Sequence, residues 1–265
     1  MNIPVAFCFC MRVEKRGDGD PEFTVIGSLH GDEPAGKNAI ETVLGEGLEF
    51  ERPVQFIVAN EKALEKDVRF TECDPNRSFP GDSESKCYEE RLAAEIMEQI
   101  EGTKVLDLHT THSYPQPFAT FSNLNDTTRG LLRSTGVKEA VYFPDGIGAL
   151  NEQANAVVVE TGYQKTEQAE ANAVGVIRNF LADQGVIDGE FERSDPSIFK
   201  RFDTVEGDWE FTAENFKKVR AGESFAERDG EKLVAKEDFY PVLMSTEGYN
   251  GQLGFKAKKI EELTG

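Results

Sequence analysis

Apolar residues fall into two rhythms along this chain. Strand-like runs occur at Ile3 to Val13, Glu22 to Ser28, Val54 to Ala59, Thr103 to Leu108, Phe118 to Phe121, Val137 to Phe143 and Ala156 to Val159. They are apolar, rich in β-branched and aromatic residues, and bounded by turn formers. Between them the apolar positions take helical spacing. Pro34 to Leu44 places Ala35, Ala39, Ile40, Val43 and Leu44 on one side, with Pro34 suited to a first helical position. Tyr88 to Ile100, Thr127 to Ser134 and Thr166 to Leu181 repeat the pattern. Strands alternating with helices predict an α/β domain, its sheet covered on both faces.

Two stretches break the rhythm. Gly17-Asp18-Gly19-Asp20-Pro21 separates the first two strands and predicts a β-hairpin. Glu65 to Ser85 lacks periodicity and carries Pro75, Pro80 and Gly81. It reads as a long loop, and long loops in compact domains are often functional.

After about Asp188 the helical patterns fade. Short β-prone runs follow at Ile198 to Phe202, Lys218 to Ala221, Lys232 to Ala235, Tyr240 to Met244 and Gln252 to Phe255, with Asp229-Gly230 and Asn250-Gly251 among the turns. The chain thus divides into residues 1–188, an α/β domain, and 189–265, a small antiparallel β subdomain.

Composition narrows the function. The 265 residues carry 29 basic and 49 acidic side chains, a net charge of −20. General nucleic-acid binding needs a positive footprint, and anionic membranes repel such a surface. No run approaches the roughly 18–20 apolar residues that span a bilayer, so no membrane association is expected. The longest apolar run, Val5 to Met11, lacks a basic leader and reads as a strand. A cytoplasmic location follows, in a salt-rich cytoplasm that screens self-repulsion or in an ordinary one. The four cysteines, Cys8, Cys10, Cys73 and Cys87, form no C-x-x-C pair and read as reduced thiols. The sequence leaves a homo-oligomer open.

Only three histidines occur, His30, His109 and His112. Ligands of open α/β sheets bind beyond the carboxyl ends of strands, and His30 and His109 both follow predicted strands. His30-x-x-Glu33 with a distant His109 supplies two imidazoles and a carboxylate, a catalytic zinc set that leaves one coordination position for water. Gly31 permits a tight turn between the first two. Asp107 shares a strand face with His109; it either orients that ligand or serves as a cap or surface carboxylate. Glu160 ends a third apolar strand, where an unpaired carboxylate is costly. Beside a metal-activated water it would act as general base and then as acid to the leaving amine. Arg69, Asn76 and Arg77 lie in the long loop, with arginines suited to oxyanions and carboxylates or simply to surface ion pairs. Tyr249, in a loop, either reaches a substrate or stands exposed.

Four segments in order, LHGDEPAG (29–36), VRFTECDPNRSFPG (68–81), DLHTTHS (107–113) and VVVETG (157–162), resemble the succinylglutamate desuccinylase/aspartoacylase family of zinc carboxypeptidase-like hydrolases. The resemblance spans about half the chain, and the β-rich tail is compatible with the family's C-terminal domain. It implies a three-layer α/β/α fold around a mixed sheet and one zinc ion held by His30, Glu33 and His109. It implies Glu160 as the catalytic glutamate, Arg69 as the arginine polarising the scissile carbonyl, and Asn76 with Arg77 as the grip on substrate carboxylate. Tyr249 falls near the family's substrate tyrosine. There are two departures. The stretch Asp145 to Leu150 lacks the tyrosine and arginine that hold an acidic side chain in aspartoacylases, and His112 replaces a small hydroxyl residue. The implied reaction is hydrolysis of a small anionic N-acyl amino acid. A zinc peptidase and a non-catalytic zinc- or ligand-binding protein are the alternatives.

Overall fold

The computed structural model describes residues 11–144, 146, 148–248 and 251–260. The order of elements is β1 (Arg12–Arg16), β2 (Phe23–Gly27), α1 (Ala35–Gly45), β3 (Val54–Val58), α2 (Glu61–Glu65), α3 (Tyr88–Gln99), β4 (Lys104–Thr111), β5 (Phe118–Phe121), α4 (Asp126–Ser134), β6 (Glu139–Tyr142), α5 (Leu150–Gln153), β7 (Ala156–Tyr163) and α6 (Glu167–Asp183). Six strands among the described residues follow to the carboxyl side: β8 (Ser197–Glu206), β9 (Glu210–Phe211), β10 (Ser224–Arg228), β11 (Glu231–Val234), β12 (Tyr240–Val242) and β13 (Gln252–Ile260).

Ten strands form one mixed sheet in the order β1-β3-β2-β4-β7-β5-β6-β8-β13-β12. Strands β3, β2, β4 and β7 run parallel side by side. Alternate side chains feed two cores. Phe23, Val25, Leu106, Leu108, Val157 and Val159 pack with α1, α4 and α6 on one face. Ile26, Ile57, Val105 and Ala156 pack with Leu92, Ala93 and Ile96 of α3 on the other. This is the expected three-layer α/β/α arrangement, in which strands buried on both faces read as continuous apolar runs.

The expected hairpin does not form. Strand β1 pairs antiparallel with β3, at the sheet edge, and β2 lies inside between β3 and β4. Side-chain chemistry accounts for the swap. Strand β1 reads Arg-Val-Glu-Lys-Arg and is half exposed, whereas every residue of β2 is buried. Charge belongs on an edge and an all-apolar strand belongs inside. Ile3 to Cys10 lie outside the described residues.

The tail departs from expectation in detail. Strands β8, β12 and β13 continue the main sheet, while β9, β10 and β11 form a separate three-stranded antiparallel sheet. Lys218 to Ala221 makes no strand, only an isolated bridge between Val219 and Phe239. The reduced-thiol reading is also overturned for one pair: Cys73 and Cys87 form a disulfide, their Cα atoms 6.5 Å apart. The loop folds back onto the start of α3, which the 14-residue separation did not reveal. Among the described residues, no helix is long and apolar enough to cross a membrane.

Candidate metal centre and active site

Because β2, β4 and β7 are parallel neighbours, their carboxyl ends lie side by side. His30 and Glu33 stand in the loop after β2, and His109 and Glu160 lie near the ends of β4 and β7. The loop after β2 is tightly braced. Ser28 adopts φ of 55°, unusual for a residue with a side chain, and its hydroxyl donates to the Glu33 carbonyl at 3.0 Å. Gly31 is required by proximity: a Cβ there would lie 2.1 Å from the Ala63 carbonyl carbon of α2.

Glu33 sits at the centre, buried. His30 Nδ1 lies 2.9 Å from Glu33 Oε1, and His109 Nδ1 lies 3.3 Å from Glu33 Oε2. The two ring nitrogens that face away from Glu33 also meet carboxylates. His30 Nε2 is 3.0 Å from Asp74 Oδ1, and His109 Nε2 is 3.1 Å from Asp107 Oδ2. The backbone N–H of Thr110 donates to Glu33 Oε2 at 2.8 Å. Arg69 places Nη1 3.1 Å from Glu33 Oε1 and Nη2 3.5 Å from Asp74 Oδ2.

Charge follows geometry. Burial alone would raise the Glu33 pKa, but His30 and His109 outweigh it and hold the carboxyl well below the ordinary range. Asp74 behaves alike: burial opposes, and His30 with Arg69 and Arg77 hold it low. Glu160 goes the other way. Burial pushes it up to about 8; Glu33 and Asp107 add to the rise, and His109 and Arg69 oppose it. Its Oε2 atom is buried with no hydrogen-bond partner among the described residues.

A divalent metal fits this donor set. His30, Glu33 and His109 offer ligand atoms that all lie within 4.8 Å of one another. Tetrahedral bonds of about 2.0–2.2 Å imply donor separations of roughly 3.3–3.6 Å. The 3.3 Å between His109 Nδ1 and Glu33 Oε2 matches, and the 2.9 Å between His30 Nδ1 and Glu33 Oε1 is a hydrogen-bond contact that would open slightly around an ion. Each imidazole also has its other nitrogen fixed by a carboxylate, the arrangement that orients metal-binding histidines.

The structure thus brings together His30, Glu33, His109 and Arg69. Asn76 and Arg77 lie on a 3₁₀ turn, Pro75–Arg77, of the long loop, with Asn76 Oδ1 accepting from the Leu150 N–H at 3.3 Å. His112 is not among the grouped donors. Its Nδ1 is 3.3 Å from Glu247 Oε2, and it lines a cavity of about 650 Å³ with Tyr163, Phe211, Glu214, Met244 and Glu247. Tyr249, Asp145 and Ile147 lie outside the described residues, as do Cys8 and Cys10. Sequence reasoning missed Asp74. Its position before Pro75 signals a cap, and its Oδ1 does accept from the Asn76 N–H at 2.9 Å, but the same atom also faces His30.

The fold is a three-layer α/β/α sheet with a His-Glu-His group that could hold a metal ion at its carboxyl edge. Residues 20–129 match the model of the succinylglutamate desuccinylase/aspartoacylase catalytic domain. Over that segment the chain resembles the family, whose named members are hydrolytic enzymes. No curated protein matches it in sequence. Among solved structures, a succinylglutamate desuccinylase/aspartoacylase from Rhodobacter sphaeroides superposes with a TM-score of 0.75 at 20% identity, covering 94% of this chain and 89% of that one. The ectoine utilization protein EutE (DoeB) of Ruegeria pomeroyi gives 0.76 at 18%, covering 93% and 87%. Murine aminoacylase 3 gives 0.70 at 19%, covering 92% and 97%. At these identities the likeness is one of fold.

Proposed function

We propose that this chain hydrolyses the amide bond of a small N-acyl amino acid, using one zinc ion held by His30, Glu33 and His109. The observation that carries the reading is the double orientation of the imidazoles: both Nδ1 atoms face Glu33, while Asp74 and Asp107 hold the Nε2 atoms. When bound, zinc supplies Lewis-acid polarisation of the acyl carbonyl and acidifies water toward a pKa of about 7. The remaining roles fall to the chain. Glu160 takes the proton of the attacking water and returns it to the leaving amine, a task suited to a buried carboxyl with a raised pKa. Arg69 stabilises the oxyanion of the tetrahedral intermediate. Asn76 and Arg77 hold the substrate carboxylate and so orient the amide.

His112 and Tyr249 are assigned to the substrate's distal part. Among the described residues, the lining of the cavity beyond His112 carries Glu214 and Glu247 and neither lysine nor arginine, so the substrate's carboxylate end belongs at Arg77 instead. Residues 1–188 supply the catalytic groups in this scheme, and 189–265 wall the cavity through Phe211, Met244 and Glu247. Walling of this kind favours small substrates over peptides.

The test is primary-amine release from a panel of N-acyl amino acids and short peptides, with zinc-loaded protein in concentrated KCl. Turnover of an N-acyl amino acid supports the proposal. Turnover of peptides alone makes the protein a peptidase. Silence across the panel with zinc bound stoichiometrically removes the substrate assignment.

A further inference from the structure

The groups of the site come from two kinds of scaffold. His30, Glu33, His109 and Glu160 stand on or just beyond strands of the main sheet. Arg69, Asp74, Asn76 and Arg77 stand on the long loop between α2 and α3, which has one 3₁₀ turn and no other regular structure. Such a loop needs outside anchors to hold side chains in place.

The anchors converge on the first residues of α3. Glu89 is fully buried, and its carboxylate accepts from the Thr71 N–H at 2.6 Å, the Thr71 hydroxyl at 2.8 Å, the Glu72 N–H at 3.1 Å and the Cys73 N–H at 3.2 Å. Glu72 in turn accepts from the Tyr88 N–H at 2.6 Å. The Cys73–Cys87 disulfide joins the same two segments covalently. Gly81 lets the loop's far side press on α3: a Cβ there would lie 2.1 Å from the Ala94 nitrogen. Cys73 immediately precedes Asp74, the partner of His30 and Arg69, and lies three and four residues before Asn76 and Arg77.

We propose that the Cys73–Cys87 disulfide and Glu89 form a redox-dependent clamp that positions the substrate-gripping loop. Both cysteines are half-buried, so a thiol reagent reaches them. A dithiol thiolate attacks one sulfur, breaks the S–S bond and forms a mixed disulfide; its second thiol then closes onto the first. The protein pair leaves as two thiols, and the reagent is oxidised to a cyclic disulfide. With the covalent tie gone, the join between the loop and the start of α3 rests on non-covalent contacts, chiefly the hydrogen bonds to Glu89 and from the Tyr88 N–H to Glu72. The loop carries Arg69 and Asp74 beside the site as well as Asn76 and Arg77, so loosening it acts on substrate binding and on oxyanion stabilisation together. Cys73, Cys87 and Glu89 are positioning residues.

The kinetic arm of the test rests on the proposed hydrolase reading; the exchange arm does not. Peptide mapping of unreduced protein should yield a Cys73–Cys87 cross-linked peptide. Hydrogen exchange on the full chain should then accelerate about tenfold or more within 66–87 on dithiothreitol treatment, with β4 and β7 unchanged. A Cys73→Ser/Cys87→Ser variant should exchange at the fast rate with or without reductant. In the kinetic arm, reduction should lower kcat/KM about tenfold or more, raising KM through Asn76 and Arg77 and lowering kcat through Arg69, and reoxidation by glutathione disulfide should restore both. The proposal is overturned if the cross-linked peptide is absent, if exchange in 66–87 ignores reduction, or if reduction lowers only Tm. A chain that hydrolyses nothing on the panel loses the function assigned above, while the exchange result still decides the clamp.

Discussion

His109 and Glu160 stand opposite each other in register across the parallel strands β4 and β7. Directly paired residues of neighbouring strands share a face, so the imidazole and the carboxylate reach the same end of the sheet. Glu160 brings an unpartnered buried oxygen to that point. Replacing it by Gln keeps the shape and removes the base. Glu160→Gln should bind zinc as the parent does and lose about 10²–10⁴ of kcat, the usual contribution of a general base. Loss of less than tenfold in steady-state kinetics would assign the proton transfer to another group.

The same carboxyl should shape stability against pH. Its folded-state pKa, about 8, lies above the ordinary carboxylate value, chiefly through burial. The folded protein therefore holds a proton that the unfolded chain releases. That contribution is complete below the unfolded value of about 4.5 and disappears as pH rises through about 8. Metal-free protein should melt at a lower temperature at pH 9 than at pH 6.5, and Glu160→Gln should show a smaller fall. Equal falls in the two proteins by calorimetry would contradict the placement of this proton.

Much of this site is legible in the residues, for identifiable reasons. His30, Glu33 and His109 are scarce residue types at strand ends, so the grouping of their ligand atoms in the structure could be anticipated from spacing. The major strands and helices have strong periodicity and lie where the pattern puts them. Failures occur where the decisive contact is distant in sequence. Nothing near β1 announces that it pairs with β3 and not with β2. The five-residue α2 and four-residue α5 are too short for periodicity to register. Asp74 looks like a turn cap because it is one, and its second role depends on His30, 44 residues away. The cysteine pair needs the loop's fold to bring its ends together.

Asp74 and Asp107 give a prediction about affinity. Carboxylates on the far nitrogen of a metal-binding imidazole fix its orientation and raise its basicity. Asp107→Asn and Asp74→Asn should each weaken zinc binding by about 10–100-fold in chelator competition, with the far-ultraviolet circular dichroism unchanged. Unchanged affinity in both variants would mean that the imidazoles are held by the backbone alone. Asp74→Asn should also perturb kinetics more than Asp107→Asn does, since Arg69 lies 3.5 Å from Asp74.

The two arginines should separate in kinetics. Arg69 lies 3.1 Å from Glu33, beside the reacting centre, whereas Arg77 sits eight residues on, exposed at the end of the 3₁₀ turn. A group that meets charge only as it develops acts on kcat; a group that holds an existing carboxylate acts on KM. Arg69→Ala should lower kcat by about 10²–10³, as for loss of an oxyanion donor. Arg77→Ala should raise KM by about 10–100-fold with little change in kcat, the scale of a hydrogen bond to a charged group. Lysine at 77 should recover only part of the loss, because a point charge does not reproduce a two-pronged grip on a carboxylate. If Arg77→Ala instead lowers kcat as Arg69→Ala does, the carboxylate grip lies elsewhere and the loop faces the reacting carbonyl with both arginines.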